Sequence, residues 1–345
     1  MSRWVNRLIL FISFYSQTSM ALMIHRLGSE TDVRPNIDMA VCLAGGGSDQ
    51  AWVEGWKLLI KNTHGGDIVI IQSDKKSHDY ADWIFYDQDQ NHFAKVNSIT
   101  TISIDHKSDS FNPEVLQLVQ NAEFVFFSGG DQSKYIQYID QTPLEQILNQ
   151  HLKSHTALFA GTSAGMAVLA GIDYRARFGS PHDPEDLVSA NDVLNDPTGS
   201  FVDLDDHFLI PPYLKNIITE THFAERDRFG RIVGFMANAI YRQWSNYDQI
   251  QAIAADAGTT FCYNSQGVGQ VYGEGQVYFL KANTSPEVLQ PSSPLTWIGP
   301  TQNSVEVQIL NQNTSGFNIQ TWQTIDPAQI EYWWVEQGQL FKRSK

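Results

Sequence analysis

The sequence is poor in cysteine and in charged side chains, and it contains no repeat or low-complexity tract. Only 2 of its 345 residues are cysteine, which excludes a small disulfide-rich scaffold. Charged residues make up 18% and hydrophobic residues 42%, as in a globular protein with an ordinary core. Basic residues are outnumbered, 23 against 38 acidic ones, for a net charge of -15. This deficit argues against binding of nucleic acid, which requires a basic surface.

Long hydrophobic runs are also missing, and no segment could serve as a stable membrane anchor. The first residues show a different pattern, in which Arg3 and Arg7 precede the short apolar run 8–12 and Ser19-Met20-Ala21 follows. Positive, apolar and small residues in this order predict a secretory signal peptide over residues 1–21. We therefore expect a secreted or periplasmic protein. The alternative is an N-terminal helix that packs on the domain.

The two cysteines, Cys42 and Cys262, both lie inside apolar, strand-like runs. In an oxidising compartment they could form a disulfide, but two buried free thiols fit the pattern equally well. Neither is placed like a nucleophile.

Short apolar runs alternate with amphipathic stretches from residue 39 onward. The apolar runs predict strands at 39–44, 67–72, 98–104, 123–128 and 156–160, and the stretches between them predict helices at 48–61, 113–122 and 144–153. Alternation of this kind predicts an α/β fold, a three-layer, doubly wound and largely parallel sheet. Glycines follow several strands at their carboxyl ends, where open α/β sheets bind ligands.

Two later segments depart from this alternation, one inside the predicted α/β domain, 22–284, and one after it. Between Pro181 and Asp206 there are eight acidic residues and no Lys or Arg, which predicts an inserted loop near 172–215. Short strands at 276–280, 305–310 and 332–335 follow, so residues 285–345 are predicted to form a mostly β extension.

The pentapeptide Gly161-Thr162-Ser163-Ala164-Gly165 follows a predicted strand and precedes an apolar helix. A serine on such a tight turn points its hydroxyl above the sheet, and the next amide can stabilise an oxyanion. Ser163 is therefore a candidate nucleophile. The alternative is a tight turn without chemistry.

A serine nucleophile needs a base within hydrogen-bond reach. His222 is the best-placed histidine, because it also follows a predicted strand, and Arg226, Arg228 and Arg231 come shortly after it. On these residues alone, a solvated helix face with ion pairs to Glu225 and Asp227 explains the charges as well.

Four motifs follow one another along the chain. They are the glycine turn after the first predicted strand, the tetrapeptide Gly129-Gly130-Asp131-Gln132, the serine pentapeptide, and the His222 segment with its three arginines. Together they resemble the cyanophycinase and aspartyl dipeptidase family of serine peptidases. The similarity extends over about residues 39–280. It implies a class I glutamine amidotransferase-like fold, an aspartyl peptide as substrate, no cofactor or metal, and a homodimer.

The resemblance also implies residue roles. Ser163 matches the nucleophile and His222 the base, and the amides of Gly130 and Ala164 match the oxyanion hole. The positions that line the family's substrate pocket correspond to Gln132, Glu220, Thr221, Arg226 and Arg228. An arginine suits an aspartyl substrate, because it can pair with a carboxylate through two parallel bonds. Arg231 is expected to support the fold.

Two positions depart from the family pattern. Where the family has the Glu that orients its base, this chain has Ala257, directly after Asp256. Asp256 could reach His222 through a loop shift, Glu220 could serve instead, or the triad is incomplete. The second departure is Glu220 itself, which stands where Asp is usual and moves the carboxylate by one methylene.

These observations leave two functions open: an exopeptidase or isopeptidase for aspartyl bonds, such as the β-Asp-Arg bonds of cyanophycin, and a binding protein that has lost efficient catalysis. A further alternative concerns the acidic segment. Asp203, Asp205, Asp206 and His207 could ligate calcium, or the segment could attract substrate arginines, but a solvated acidic loop explains the charges more simply.

Overall fold

The computed structural model describes residues 22–73, 77–314, 316–325 and 328–345. The predicted signal peptide, 1–21, lies outside the described residues. None of the helices in the described ranges combines the length and the apolar character that crossing a membrane requires.

Strands and helices alternate through the first half of the chain. The strands are β1 (Met23–Gly28), β2 (Ala40–Ala44), β3 (Asp67–Gln72), β4 (Ser98–Ser103), β5 (Phe124–Phe127) and β6 (Leu158–Thr162). The helices are α1 (Val53–Asn62), α2 (Asp79–Tyr86), α3 (Gln88–Asn91), α4 (Pro113–Gln120), α5 (Gln132–Ile139), α6 (Pro143–Ser154) and α7 (Ala164–Ala167), with 3-10 turns at Asp49–Trp52 and Lys107–Phe111.

The second half is dominated by strands. It contains β7 (Asp173–Tyr174), α8 (Ala190–Asn195), β8 (Leu204–Asp205), β9 (Ile217–Glu220), α9 (Phe229–Tyr241), β10 (Gln251–Ala255), β11 (Thr259–Asn264), β12 (Val268–Gly273) and β13 (Val277–Ala282). The last strands are β14 (Val305–Leu310), β15 (Phe317–Asn318), β16 (Gln323–Thr324), β17 (Gln329–Glu336) and β18 (Gln339–Ser344).

The larger sheet has ten strands in the order β1-β4-β3-β5-β6-β2-β11-β12-β15-β16. Its centre, from β4 to β2, is parallel. Alternate residues of β2 face opposite sides: Val41 and Leu43 join the core under α4, α5 and α6, whereas Cys42 packs with α1 and α2. The α/β class is thus confirmed, with helices covering both faces of the parallel centre.

A second sheet of six strands, in the order β18-β17-β14-β13-β10-β9, corrects the expectation of one largely parallel sheet. Only β9 and β10 pair in parallel within it. It packs against the antiparallel end of the first sheet through Phe279 and Phe261, whose ring centroids are 4.9 Å apart. The predicted C-terminal extension is divided between the sheets, because β15 and β16 join the larger one while β14, β17 and β18 join the smaller.

The acidic segment is a solvated loop only in part: residues 181–187 are exposed, whereas residues further along the segment are buried. Val193 and Leu194 of α8 are buried in the core beneath α9, and a Cβ on Gly234 of α9 would lie 2.3 Å from the Val193 side chain. The acids have local partners: Asp192 closes a capping box with Ser189, and Asp203 accepts two hydrogen bonds from Arg177, at 2.7 and 2.8 Å. The prediction of a loop rested on the number of charges, and it did not take these apolar and capping residues into account.

The two cysteines form a disulfide. Cys42 and Cys262 are directly opposite each other on β2 and β11. Both are buried, and Gly55 of α1 covers the bond, since a Cβ there would lie 3.4 Å from the Cys262 sulfur.

Candidate active site

Ser163 occupies the turn between β6 and α7 in a conformation that non-glycine residues rarely adopt, with φ 51° and ψ -114°. The flanking glycines make this turn possible by close backbone packing. A Cβ on Gly161 would lie 2.2 Å from the carbonyl oxygen of Gly165, and one on Gly165 would lie 2.0 Å from that of Phe127. Strain held by such surroundings is typical of functional turns.

His222 lies two residues beyond the end of β9, also with a positive φ of 44°. Its backbone N–H donates to the Gly45 carbonyl at 2.8 Å, and its Nε2 lies 2.9 Å from the Ser163 hydroxyl. A Cβ on Gly46 would lie 2.4 Å from the imidazole Cε1 and Nε2. The glycine turn after β2 therefore forms the wall against which the imidazole packs.

The environment of His222 keeps its imidazole neutral. Burial lowers its pKa to about 4, with the cations of Arg226 and Arg228 acting in the same direction and the carboxylates of Glu225 and Glu220 opposing them. At neutral pH the ring is thus uncharged, so Nε2 can accept a hydrogen bond from the Ser163 hydroxyl.

The two amides predicted as oxyanion donors belong to residues near Ser163. Ala164 follows the serine as the first residue of α7, and Gly130 follows Gly129, where a Cβ would lie 3.5 Å from the Ser163 Cβ. In the described part of the chain, neither the Gly130 nor the Ala164 N–H donates to a protein acceptor.

Glu220 and two arginines form a buried network behind His222. Its carboxylate accepts from Arg228 at 3.1 Å and from Arg231 at 2.7 and 2.8 Å. Burial alone would raise the pKa of Glu220, but the guanidinium groups of Arg231 and Arg228 lower it below its usual value. Arg228 also donates to the carbonyl and hydroxyl of Thr221, at 2.8 and 3.0 Å. Glu220 is thus engaged by arginines and does not contact His222.

Two of the predicted pocket residues, Arg226 and Gln132, are more exposed than the residues of the Glu220 network. Arg226 is exposed and close enough to His222 to lower its pKa, and in the described residues it forms no ion pair. Gln132 is the first residue of α5, two positions beyond Gly130, and it is partly exposed.

Asp256 forms no hydrogen bond to His222 in the described residues. Its two carboxylate oxygens accept from the backbone N–H groups of Ala224, at 3.1 Å, and Gln276, at 3.0 Å, and burial raises its pKa. Its side chain links the segment after His222 to the end of β10. The assignment of Asp256 to the catalytic group stays a prediction, and these contacts do not favour it.

The sequence analysis did not identify Asp49, which lies beneath the turn that carries Ser163. Its carboxylate accepts from the Thr162 hydroxyl at 2.7 Å and from the Trp52 indole at 2.9 Å, and it contacts the Tyr80 hydroxyl. An aspartate after a glycine turn predicts only a helix cap, so no local pattern indicated this link to the residue before Ser163.

Two groups of side chains in the described residues bring three potential metal-ligating atoms within 4.8 Å of one another. One consists of His25, His78 and Asp82, and the other of Asp205, Asp206 and His207. The second also contacts the cation of Arg175, which offsets its negative charge. Neither group contributes a side chain to the Ser163–His222 pair.

Comparison with known proteins shows where the likeness lies. Residues 62–226, which include both Ser163 and His222, match Peptidase family S51. A cyanophycinase from Synechococcus elongatus is 24% identical over 182 residues, 53% of this chain and 49% of that protein. A cyanophycinase from Trichormus variabilis is 23% identical over 205 residues, 58% of this chain and 60% of that protein. The chain thus spans about half the length of the curated relatives it matches.

Among solved structures, a peptidase from an acI-B1 Actinobacterium has a TM-score of 0.50 with this protein. The two are 18% identical, and the match covers 82% of this chain and 98% of the other. This likeness concerns the fold. The family resemblance predicted from the motifs is confirmed by the sequence matches.

Proposed function

We propose that this chain, which matches peptidase family S51 over residues 62–226 and resembles cyanophycinases, is a serine-type exopeptidase or isopeptidase that cleaves aspartyl peptide bonds. The observation that carries the proposal is the 2.9 Å contact between the Ser163 hydroxyl and His222 Nε2 on a strained turn beside two unpaired amides. A nucleophile, a neutral base and oxyanion donors are the parts that acyl transfer requires.

The reaction proceeds in two acyl transfers. The Ser163 hydroxyl attacks the peptide carbonyl while His222 Nε2 takes its proton, and the oxyanion lies against the amides of Gly130 and Ala164. Collapse of this intermediate breaks the C–N bond, and the leaving amine receives the proton from His222. Water then attacks the seryl ester with the same base, which releases the acid and regenerates Ser163.

The substrate class is proposed from the family and from charge. The relatives named above are cyanophycinases, which suggests β-Asp-Arg bonds. Arg226 is exposed beside the base and could pair with a carboxylate of the substrate. Glu220 could bind a substrate amine only if it exchanged an arginine partner, so we assign it to holding Arg228 and Arg231.

The test is the release of dipeptide from cyanophycin and from β-Asp-Arg by wild type, Ser163→Ala and the control Ser154→Ala, which changes an exposed serine on α6. We expect Ser163→Ala to lower kcat by about 10,000-fold or more and Ser154→Ala to leave it unchanged. A fluorophosphonate should label only proteins that retain Ser163. Equal turnover by wild type and Ser163→Ala, or turnover that a chelator abolishes, would contradict the mechanism.

A second candidate function is binding without efficient turnover. The observation that favours it is the absence of a carboxylate from position 257, together with the engagement of Asp256 by backbone amides. Saturable binding of β-Asp-Arg to wild type, with no Ser163-dependent hydrolysis, would support this candidate over the first.

We further propose that the protein works outside the reducing cytosol. The predicted signal peptide and the Cys42–Cys262 pairing support this, because disulfides persist in oxidising compartments. N-terminal sequencing of the protein recovered from its host should give a first residue near Leu22. Recovery of an intact N-terminus from a cytosolic fraction would contradict export.

A further inference from the structure

His222 has one ring nitrogen with a clear role and one without a partner. Nε2 faces the Ser163 hydroxyl, whereas Nδ1 forms no hydrogen bond to any residue that the structure describes. In a serine–histidine pair a carboxylate normally holds this second nitrogen and stabilises the imidazolium. Asp256 and Glu220 are both occupied elsewhere, as described above.

The segment after His222 runs beside the end of β10 and brings another carboxylate to this place. Phe223 N–H donates to the Ala255 carbonyl at 3.2 Å, and Ala224 N–H donates to Asp256 at 3.1 Å. One residue further along both segments, the Glu225 carboxylate accepts from the Ala257 N–H at 3.1 Å. Glu225 thus reaches the backbone of the position at which the orienting Glu is missing.

The glycine turn after β2 contacts both the imidazole and position 257. A Cβ on Gly46 would lie 2.4 Å from the His222 Cε1 and Nε2, and one on Gly47 would lie 3.0 Å from the Ala257 Cβ. The imidazole and position 257 are thus neighbours of adjacent residues in one turn.

The local turn and charge agree with this placement. Arg226 N–H donates to the His222 carbonyl at 3.1 Å, which closes a tight turn over residues 222–226 and keeps Glu225 close to His222 along the chain. The Glu225 carboxylate acts on His222 electrostatically and raises its pKa against the effect of burial.

From this geometry we infer that Glu225 is the positioning residue for His222 and replaces the carboxylate that is absent from position 257. The inference rests on the proposed function. During attack, the proton of Ser163 moves to Nε2, Nδ1 keeps its own proton, and the Glu225 carboxylate accepts a hydrogen bond from Nδ1–H. Ala257 leaves room for a carboxylate that comes from the neighbouring turn.

The variant that tests this is Glu225→Gln, which keeps the shape and removes the charge. Its matched control is Asp227→Asn, an equal loss of charge at an exposed residue of the same turn. We expect Glu225→Gln to lower kcat about 100-fold with little change in KM, and Asp227→Asn to leave both unchanged. Adding Ala257→Glu to Glu225→Gln should restore most of kcat, because a carboxylate returns to the same place.

A second readout does not depend on turnover. NMR titration of the His222 ring should give a lower pKa in Glu225→Gln than in wild type or Asp227→Asn, because the carboxylate that raises it is gone. If wild type shows no Ser163-dependent turnover, the proposed function fails, while the titration still tests the contact. If Glu225→Gln matches Asp227→Asn in both kcat and His222 pKa, the inference is overturned.

Discussion

At the scale of single residues, Ser163 and His222 share an unusual property: both have a positive φ, 51° and 44°. Each follows the carboxyl end of a strand, so the chain turns sharply and aims the side chain across the sheet edge. For non-glycine residues this conformation costs about 1 kcal/mol or more. Close contacts of the surrounding glycines hold both turns. The hydroxyl and the imidazole therefore stay close to each other before any substrate binds.

The low pKa of His222 leads to a prediction about pH. Since burial lowers the pKa to about 4 from 6.5, inactivation by a neutral fluorophosphonate should keep a constant rate from pH 8 to about 5 and fall only near pH 4. In Arg226→Gln, which removes a cation that lowers this pKa, the fall should begin at a higher pH. An acidic limb near 6.5 in wild type would show that the ring is not shielded as the structure indicates.

The same shift bears on stability. The unfolded imidazole takes up a proton near pH 6.5 but the folded one only near 4, so the folded state loses stability as the pH falls between these values. Above pH 6.5 both states are neutral and the contribution of His222 is constant.

Sequence motifs could predict that Ser163 and His222 lie close together, because both follow strand ends of one fold, and the two side chains are in contact. The motifs could not assign the carboxylate. Asp256 is next to position 257, where the orienting carboxylate was expected, but both of its oxygens accept hydrogen bonds from backbone amides. Glu225 reaches position 257 only because two segments that are far apart in sequence pack together. Which face a side chain takes at a strand end depends on tertiary contacts that adjacency in sequence does not describe.

At the scale of elements, the β6–α7 junction depends on how closely the two backbones approach. Gly165→Ala would place a methyl group 2.0 Å from the Phe127 carbonyl oxygen, and rigid backbone must move to accept it. We expect a loss of at least about 2 kcal/mol in the free energy of unfolding, measured by denaturant titration.

Gly129→Ala is the matched control for this prediction. Its added Cβ would lie 3.5 Å or more from its neighbours, an ordinary contact, so stability should change by less than about 0.5 kcal/mol. Equal stability of the two variants would show that the junction can relax.

Element boundaries were predictable where apolar runs were continuous. The predicted strand 67–72 agrees with β3, and 305–310 agrees with β14. The acidic segment was misjudged because its acids dominate the composition while its few apolar residues, such as Val193, carry the packing. Acids that cap α8 or pair with arginines cannot be told from solvated ones without knowing their partners.

At the scale of the whole molecule, the C-terminal strands complete both sheets and do not form a separate layer. The sequence predicted short strands in this region, but pairing partners far apart in sequence leave no local pattern. β14 pairs with β13, whereas β15 pairs with β12, so neighbouring strands enter different sheets.

The disulfide joins residues 220 positions apart, and its removal should be costly. We expect the double variant Cys42→Ala, Cys262→Ala to lose about 5 kcal/mol of unfolding free energy through the greater entropy of its unfolded chain. Guanidinium titrations with and without a reductant provide the measurement: the reductant should destabilise wild type and leave the double variant unchanged. A wild type indifferent to reductant throughout unfolding would mean that the cysteines are not paired.

The covalent loop closed by Cys42 and Cys262 contains both Ser163 and His222. Between these two lies the exposed stretch 181–187, the kind of surface at which proteases cut. A single cut there would leave Ser163 on one polypeptide and His222 on another, yet the disulfide would still join the two pieces covalently. An unbroken main chain between Ser163 and His222 is therefore not required to keep them in one molecule.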